Sequence, residues 1–166
     1  MPSRFRITYL ILLPLLGGTL AWLAAANGSS NLRIDPAGAV TFSVEETGPS
    51  VLHRIEVSSG LRSWTALRTV ASAGGNLQYS EPVDAAPEGR YYRAAPENDP
   101  RAIPGDHLAT SDGDVVIHPV QHASFVLRWR DLILYNDPVG GAAPYAGLPP
   151  AGLILVGHQH GDHFNT

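Results

Sequence analysis

The amino-acid sequence predicts a chain of the α+β class that is mostly β, with a signal helix at its amino end. Three observations support this prediction. Ile7 to Ala26 is almost wholly apolar, residues 31–95 read as short strands between turn residues, and residues 106–166 carry further strands after a linker at 96–105. Several short strands separated by Gly, Pro, Ser and Asn are typical of a small antiparallel sandwich. We therefore expect a leader at 1–26 followed by two β-rich domains.

The leader has the pattern of a secretory signal peptide. Met1 to Arg6 contains two arginines and no acid, an apolar core follows, and the small residues Ala24 to Ala26 offer a cleavage site. This order predicts export to the periplasm or the extracellular space. An uncleaved membrane anchor over residues 7–26 is the alternative, since about 20 apolar residues can span a bilayer. A proline and a glycine pair within the segment weaken a continuous membrane helix, which favours cleavage.

The composition excludes several classes of site and partner. The chain contains no cysteine and no lysine, and its formal net charge is −4. Disulfide bonds, a lipid-modified cysteine and thiolate metal ligands are therefore excluded, so that any metal site must use nitrogen and oxygen donors. No basic patch supports a nucleic-acid partner.

The first β-rich segment contains the predicted strands Val40–Val44, Leu52–Val57 and Leu77–Tyr79. Its stretch IEVSSGLRSWTALRTVASAGGNLQYSEPVDAAPEGRYYRA resembles a module that recurs in exported bacterial proteins. The resemblance covers residues 55–94 and implies an accessory or binding domain.

Five residues match the pattern of that module: Trp64, Leu67, Tyr79, Tyr91 and Tyr92. An aromatic platform for a sugar or a partner is one interpretation of the tryptophan and the tyrosines. Burial in the sandwich is the other, and we expect burial because large aromatic side chains dominate small cores. We assign these residues no site.

The pattern of the sequence changes after the linker PENDPRAIPG. Predicted strands cover residues 114–117, 124–129, 132–135 and 153–156, and at most a short helix lies near 142–147. The last strand, Leu-Ile-Leu-Val, is apolar on both faces, which predicts a position in the interior of a sheet.

A cluster of metal-binding residue types follows this last strand within six positions: His158, His160, Asp162 and His163. Two histidines at alternate positions can point to the same side of an extended chain. The adjacent Asp162 and His163 diverge and can serve a second centre. Imidazole and carboxylate donors together suit zinc, and also iron or manganese. A surface histidine cluster without a role is the alternative.

The segment VVIHPVQHASFVLRWRDLILYNDPV and the closing GLPPAGLILVGHQHGDHFNT resemble the metallo-β-lactamase-fold hydrolases, whose signature is H-x-H-x-D-H after a buried strand. QHASFVL and DPV are most similar to the branch that contains ascorbate-phosphate-type lactonases and related phosphodiesterases. The resemblance implies that His158 and His160 bind a first metal and that Asp162 and His163 bind a second. Many relatives have Asp in place of Gly152 and Thr in place of Gly157.

The resemblance implies hydrolysis of a small-molecule ester, lactone or phosphodiester. Two divalent ions, most often zinc, with iron or manganese as alternatives, would lower the pKa of a bridging water toward ~7. Asp162 would orient the resulting hydroxide as well as bind metal. No serine or cysteine nucleophile is needed for this chemistry.

Two further residues are candidates for supporting positions. His122 aligns with a histidine common in this branch, where it either lines the pocket or is merely structural. Asp137 either holds a ligand histidine by its second nitrogen, as metal-bound histidines usually require, or caps a turn before Pro138.

The fold that the resemblance implies is a four-layer αββα sandwich of two similar halves, and the similar residues belong to the first half. The later half supplies a further ligand histidine, an aspartate that usually bridges both metals, and another histidine. We therefore expect residues 106–166 to be a truncated first half that binds zinc weakly and hydrolyses nothing. Two other hypotheses stay open: an exported β-rich binding protein with a vestigial metal-binding tail, and a membrane-anchored scaffold.

Overall fold

The computed structural model describes the chain in seven stretches, namely residues 9–13, 22–24, 30–34, 39–45, 51–72, 76–82 and 90–165. The chain divides into two compact units, Met1–Glu97 and Asn98–Thr166. Among the described residues the chain is mostly β, with a single 3₁₀ turn at Ala143–Tyr145. The mostly β character that the sequence predicts is thus confirmed.

The first unit contains eight strands: β1 (Tyr9–Leu13), β2 (Trp22–Ala24), β3 (Ser30–Ile34), β4 (Ala39–Glu45), β5 (Leu52–Ser58), β6 (Thr65–Ala71), β7 (Asn76–Pro82) and β8 (Arg90–Glu97). They form two groups of hydrogen-bonded strands, in the orders β6-β5-β8-β1-β2 and β3-β4-β7. Every pairing within these groups is antiparallel.

The described residues of the predicted leader are strands. Tyr9–Leu13 pairs with β8, from Tyr9 opposite Ala94 to Leu13 opposite Arg90, and also with Trp22–Ala24. The predicted helix is therefore not confirmed, because the backbone of these residues bonds to neighbouring strands instead. The parts of the chain that the structure describes include no apolar helix of membrane-spanning length. Export by this segment stays a prediction.

The first unit has buried side chains of its own. Ile55, Leu77 and Tyr92 are fully buried, and Tyr79 is buried as well. The Tyr92 hydroxyl donates to Glu81 Oε1 at 2.5 Å, and the Tyr79 hydroxyl donates to Glu81 Oε2 at 2.8 Å. Burial, reinforced by the Glu81 carboxylate, raises the pKa of the Tyr79 hydroxyl. The predicted burial is confirmed for these two tyrosines but not for Tyr91 and Trp64, which are half-buried.

Trp64 is only half-buried, and the guanidinium carbon of Arg93 lies 4.3 Å from the centre of its ring. Arg93 and Arg54 both bond to the buried carboxylate of Glu56. A buried charge requires such partners, because an isolated carboxylate in a protein interior is strongly unfavourable. The ring of Trp64 therefore packs against the guanidinium of the Arg93–Glu56 ion pair.

The second unit contains five strands: β9 (Gly105–Leu108), β10 (Val115–Gln121), β11 (Ser124–Trp129), β12 (Leu132–Asn136) and β13 (Leu153–Leu155). Their order is β13-β12-β11-β10-β9, and all pairs are antiparallel except β12 with β13. The four strands that the sequence predicts here are all present, with β10 extended at its carboxyl end.

The core of the second unit is small. Its buried members are Ile103, Val116, Val126 and Ile133. Tyr145 from the β12–β13 loop stacks on Tyr135 of β12, with ring centres 5.0 Å apart. The Tyr135 hydroxyl donates to the Pro149 carbonyl at 2.8 Å, and the Tyr145 hydroxyl accepts from the Val139 amide at 3.1 Å. These contacts attach the long loop to the sheet.

The predicted interior position of the last strand is wrong within the described residues. β13 bonds to β12 alone and is the edge of its sheet. Its apolar side chains are exposed, at 43% for Leu153, 52% for Ile154 and 45% for Leu155. An apolar pattern on both faces therefore identified a strand here, but not the number of its neighbours.

Candidate metal centre

The candidate site forms where two parallel strands end at the same edge of a sheet. Asn136, the last residue of β12, lies opposite Leu155, the last residue of β13. The Asp137 amide donates to the Leu155 carbonyl at 2.8 Å. Parallel pairing therefore brings Asp137 beside residues 157–165, which we call the donor loop. Ligand sites of open α/β sheets with parallel strands commonly lie at the carboxyl ends of the strands.

Asp137 is the buried centre of the site, with an exposed fraction of 5%. Its Oδ1 accepts from the Gly157 amide at 2.5 Å, and its Oδ2 accepts from the Asn136 side-chain amide at 3.0 Å. The same Oδ2 lies 3.0 Å from His163 Nδ1. The Gly157 hydrogen bond, followed by the His163 contact, holds the pKa of the Asp137 carboxyl below its usual value. Asp137 is therefore a carboxylate at neutral pH.

The backbone around Asp137 is held from a second direction. Asp137 has a φ of +43°, in the left-handed region that non-glycine residues seldom adopt. The Ser124 hydroxyl donates to the Asp137 carbonyl, and the Asn136 side chain donates to the Ala123 carbonyl at 3.1 Å. Contacts from the β10–β11 turn therefore support the unusual backbone conformation.

The contact between Asp137 and His163 orients the imidazole. Since Nδ1 of His163 faces the carboxylate, Nε2 is the nitrogen left for a ligand. Metal-binding histidines generally have their other ring nitrogen bonded to a carboxylate or a carbonyl. Of the two predicted interpretations of Asp137, the first requires this contact, and the contact is present.

Three of the four predicted ligands lie together. One donor atom from each of His158, Asp162 and His163 falls within 4.8 Å of the other two. Donors bound at about 2.0–2.1 Å to a tetrahedral zinc lie about 3.3–3.4 Å apart. His158 and Asp162 are exposed, so rotation of their side chains can close this difference. The residues present fit a zinc ion.

His160 stands outside this group of three. Its Nδ1 lies 3.0 Å from His158 Nε2, and the two rings meet edge to face with centres 4.6 Å apart. The rings of His158 and His163 are closer still, with centres 3.7 Å apart. His160 therefore contacts His158 beside the group of three, and the division of the four predicted ligands between two metals stays a prediction.

His122 occupies a different place. It lies in the turn between β10 and β11, is exposed and has a φ of +49°. It is not among the described residues whose donor atoms converge. The Asp137 carbonyl is bonded instead by Ser124, the first residue of β11. A role for His122 in lining a pocket stays a prediction.

Sequence reasoning did not identify Asn165 as part of the site. Its Oδ1 accepts from the Gly140 amide at 2.9 Å, and its Nδ2 donates to the Gly161 carbonyl at 2.9 Å. In the sequence, the one indication of a role for Asn165 is that it follows the last predicted ligand, His163, by two residues. This position does not reveal the contact with Gly140, 25 residues earlier.

Gly157 lies close to the buried carboxylate of Asp137. A Cβ at this position would lie 3.3 Å from both carboxylate oxygens of Asp137. The absence of a side chain therefore lets the carboxylate approach the Gly157 amide closely.

We expect the Gly157→Ala substitution to lower the free energy of unfolding by about 1 kcal/mol. Crowding of a packed site costs about 1–3 kcal/mol, which exceeds the gain of about 0.4–1 kcal/mol from restricting the unfolded chain. Urea denaturation followed by circular dichroism measures the change. Gly161→Ala is the matched control, because a Cβ at Gly161 would meet no atom within 4 Å. Equal stability of the two variants would contradict the steric explanation.

Comparison of the chain with protein-family models, with curated proteins and with solved structures finds no match.

Proposed function

We propose that this chain carries the first-half metal ligands of an exported metal-dependent hydrolase of the metallo-β-lactamase superfamily. One observation supports this proposal above the others. Donor atoms of His158, Asp162 and His163 converge within 4.8 Å, and the buried carboxylate of Asp137 lies against the second nitrogen of His163. A chance surface cluster has no need of a buried carboxylate behind one of its imidazoles.

The proposed ligands are the four residues of the signature. His158 and His160 would hold one divalent ion, while Asp162 and His163 would hold the other. Zinc suits these nitrogen and oxygen donors best, although iron or manganese uses the same donor types. When bound, such ions supply Lewis-acid polarisation and an acidified water at neutral pH.

The chain's own residues have distinct roles in this proposal. Asp137 holds the ring of His163 with Nε2 directed away from the carboxylate. Asp162, whose side chain is 64% exposed, is open to water and to a substrate. It would orient the attacking water toward the carbonyl or phosphoryl group of a small-molecule ester, lactone or phosphodiester.

The proposal includes export of the protein by its N-terminal segment. The arginines of residues 1–6, the apolar stretch after them and the three alanines at 24–26 support a secretory signal. The protein would then act in the periplasm or outside the cell, and it would contact the membrane only if residues 7–26 are retained. A zinc site of imidazole and carboxylate donors also suits an oxidising compartment, because it has no thiolate to lose by oxidation.

Titration of the full chain with zinc tests the metal-binding part of the proposal. We expect weak but saturable binding. Removing a ligand should cost more than removing an outer partner, for which losses are about 10- to 100-fold, so His158→Ala and Asp162→Ala should each weaken binding by at least about 100-fold. Isothermal calorimetry and competition with a chelator dye measure the affinity.

His107→Ala is the matched control for this titration. His107 is an imidazole of β9 whose Nδ1 lies 3.1 Å from Asp114, away from the donor loop. Its removal should leave the zinc affinity unchanged. Absence of zinc binding, or the same loss in all three variants, would overturn the proposal and favour an exported β-rich binding protein.

An assay of the same protein with zinc tests our expectation about turnover. We expect no hydrolysis of lactones or phosphodiesters by this chain, since the described residues hold only the ligands that the resemblance assigns to the first half. Metal-dependent turnover, lost in Asp162→Ala, would show that these ligands suffice and would contradict the expectation.

A further inference from the structure

Asn165 closes the donor loop by joining two backbone segments. Its side-chain oxygen accepts from the Gly140 amide, and its side-chain nitrogen donates to the Gly161 carbonyl, both at 2.9 Å. Gly161 immediately precedes the proposed ligand Asp162. The side chain of Asn165 therefore connects the end of the donor loop to two places: Gly140, in the segment after β12, and Gly161, beside Asp162.

The Gly140 end of this connection is anchored to the sheet. Gly140 has a φ of +85°, and a Cβ there would lie 2.5 Å from the side-chain nitrogen of Gln121. That nitrogen donates to the neighbouring Val139 carbonyl at 3.2 Å. Gln121 is the last residue of β10, so the amide that Asn165 uses is held against a strand.

The donor loop is thus attached near both of its ends. At its start, the Gly157 amide bonds to Asp137. At its end, Asn165 bonds to Gly140 and back to Gly161. His163 has Asp137 as a direct partner, whereas Asp162 is exposed and lies 3.8 Å from His163 Nε2. The position of Asp162 therefore depends on the backbone at Gly161, whose carbonyl accepts a hydrogen bond from Asn165.

We infer that Asn165 is a positioning residue for Asp162, which it holds in reach of the metal through the Gly161 carbonyl. This inference rests on the proposed function and deepens it, because it names a residue outside the signature that determines the metal affinity of the site. Both hydrogen bonds of its side chain go to backbone atoms, those of Gly140 and Gly161, so it would act through the backbone.

A double-mutant cycle in the full chain, with zinc as the probe, tests the inference. We expect Asn165→Ala to weaken zinc binding roughly tenfold, the lower end of the range for an outer partner of a metal site. In the Asp162→Ala background the same substitution should have no further effect, because the ligand it positions is already absent. Asn98→Ala, which removes an exposed asparagine outside the loop, should leave the affinity unchanged.

A second measurement separates positioning from a general effect on the fold. Hydrogen exchange of the Gly140 amide should accelerate in Asn165→Ala, while the circular dichroism spectrum stays that of the parent protein. Equal losses of zinc affinity in the parent and Asp162→Ala backgrounds would overturn the inference and leave the proposed function standing. Absence of zinc binding by the parent protein itself would overturn both.

Discussion

We expect Asp137→Ala to weaken zinc binding by roughly 100-fold and to lower the melting temperature of the metal-free protein. The substitution removes the acceptor of the Gly157 amide, of the Asn136 side chain and of His163. Donors left without a partner in a buried place are costly. The imidazole also loses the group that orients it toward a metal. Calorimetric titration and thermal denaturation measure the two effects.

Asp137→Asn separates the charge of this residue from its volume. The amide keeps one acceptor for the Gly157 amide, but its NH₂ group cannot accept from His163. We expect a loss of about tenfold in zinc affinity, at the lower end of the range for outer partners. Asp131→Ala is the control, since the side chain of Asp131 is 84% exposed and surface ion pairs contribute little. Unchanged affinity in both Asp137 variants would contradict the orienting role.

The lowered pKa of Asp137 gives this contact a pH dependence in the metal-free protein. A carboxyl group with a lower pKa in the folded than in the unfolded chain stabilises the fold above the unfolded value. That contribution is lost as the pH falls from the ordinary value of 3.8 through the lowered one. The stability difference between the parent protein and Asp137→Asn should therefore shrink as the pH falls below 3.8.

Tyr92→Ala should destabilise the first unit by about 3–5 kcal/mol, the range for removing a large buried aromatic side chain. The ring is fully buried, and its hydroxyl bonds to Glu81 at 2.5 Å. Tyr92→Phe keeps the ring and removes one donor to the carboxylate, for which about 1–3 kcal/mol is expected. Urea denaturation of both variants measures the two contributions.

Tyr91→Phe is the control for this pair, because Tyr91 is the adjacent half-buried residue of the same strand. Its free energy of unfolding should match that of the parent protein. Similar losses for Tyr92→Phe and Tyr91→Phe would contradict a specific role of the hydroxyl. A small loss for Tyr92→Ala would contradict the position of this ring in the core.

The sequence alone predicted the β-rich character of the chain and four of the five strands of the second unit, but not β9. These features depend on local patterns, such as the alternation along Ser124–Trp129, and local patterns are visible in one dimension. The burial of Tyr79 and Tyr92 was predictable for a related reason, since a small core has few other large apolar groups to fill it. The helix predicted over residues 7–26 depended on the order of arginines, apolar residues and alanines that is typical of a signal peptide, and a run of apolar residues does not by itself distinguish a helix from strands.

The four ligand residues were also visible in the sequence, because they lie within six positions. Which of them converge was not visible. The grouping of His158 with Asp162 and His163 depends on the turn in which the His163 amide bonds to the His160 carbonyl at 2.9 Å. Spacing along an extended chain paired His158 with His160, and these two imidazoles are also in contact, with His158 Nε2 3.0 Å from His160 Nδ1.

The sequence by itself determined which residue types this chain offers to a metal: imidazole and carboxylate, without thiolate. Only the tertiary structure decided which residue contacts these predicted ligands from the buried side, namely Asp137. Asp137 and His163 are 26 residues apart, and they meet because the parallel pairing of β12 and β13 brings the ends of both strands to one edge. The exposed position of β13 was likewise decided by strand pairing. The pattern of side chains indicates which faces of a strand are apolar. Which strands lie next to it depends on backbone hydrogen bonds to residues that are distant in the sequence.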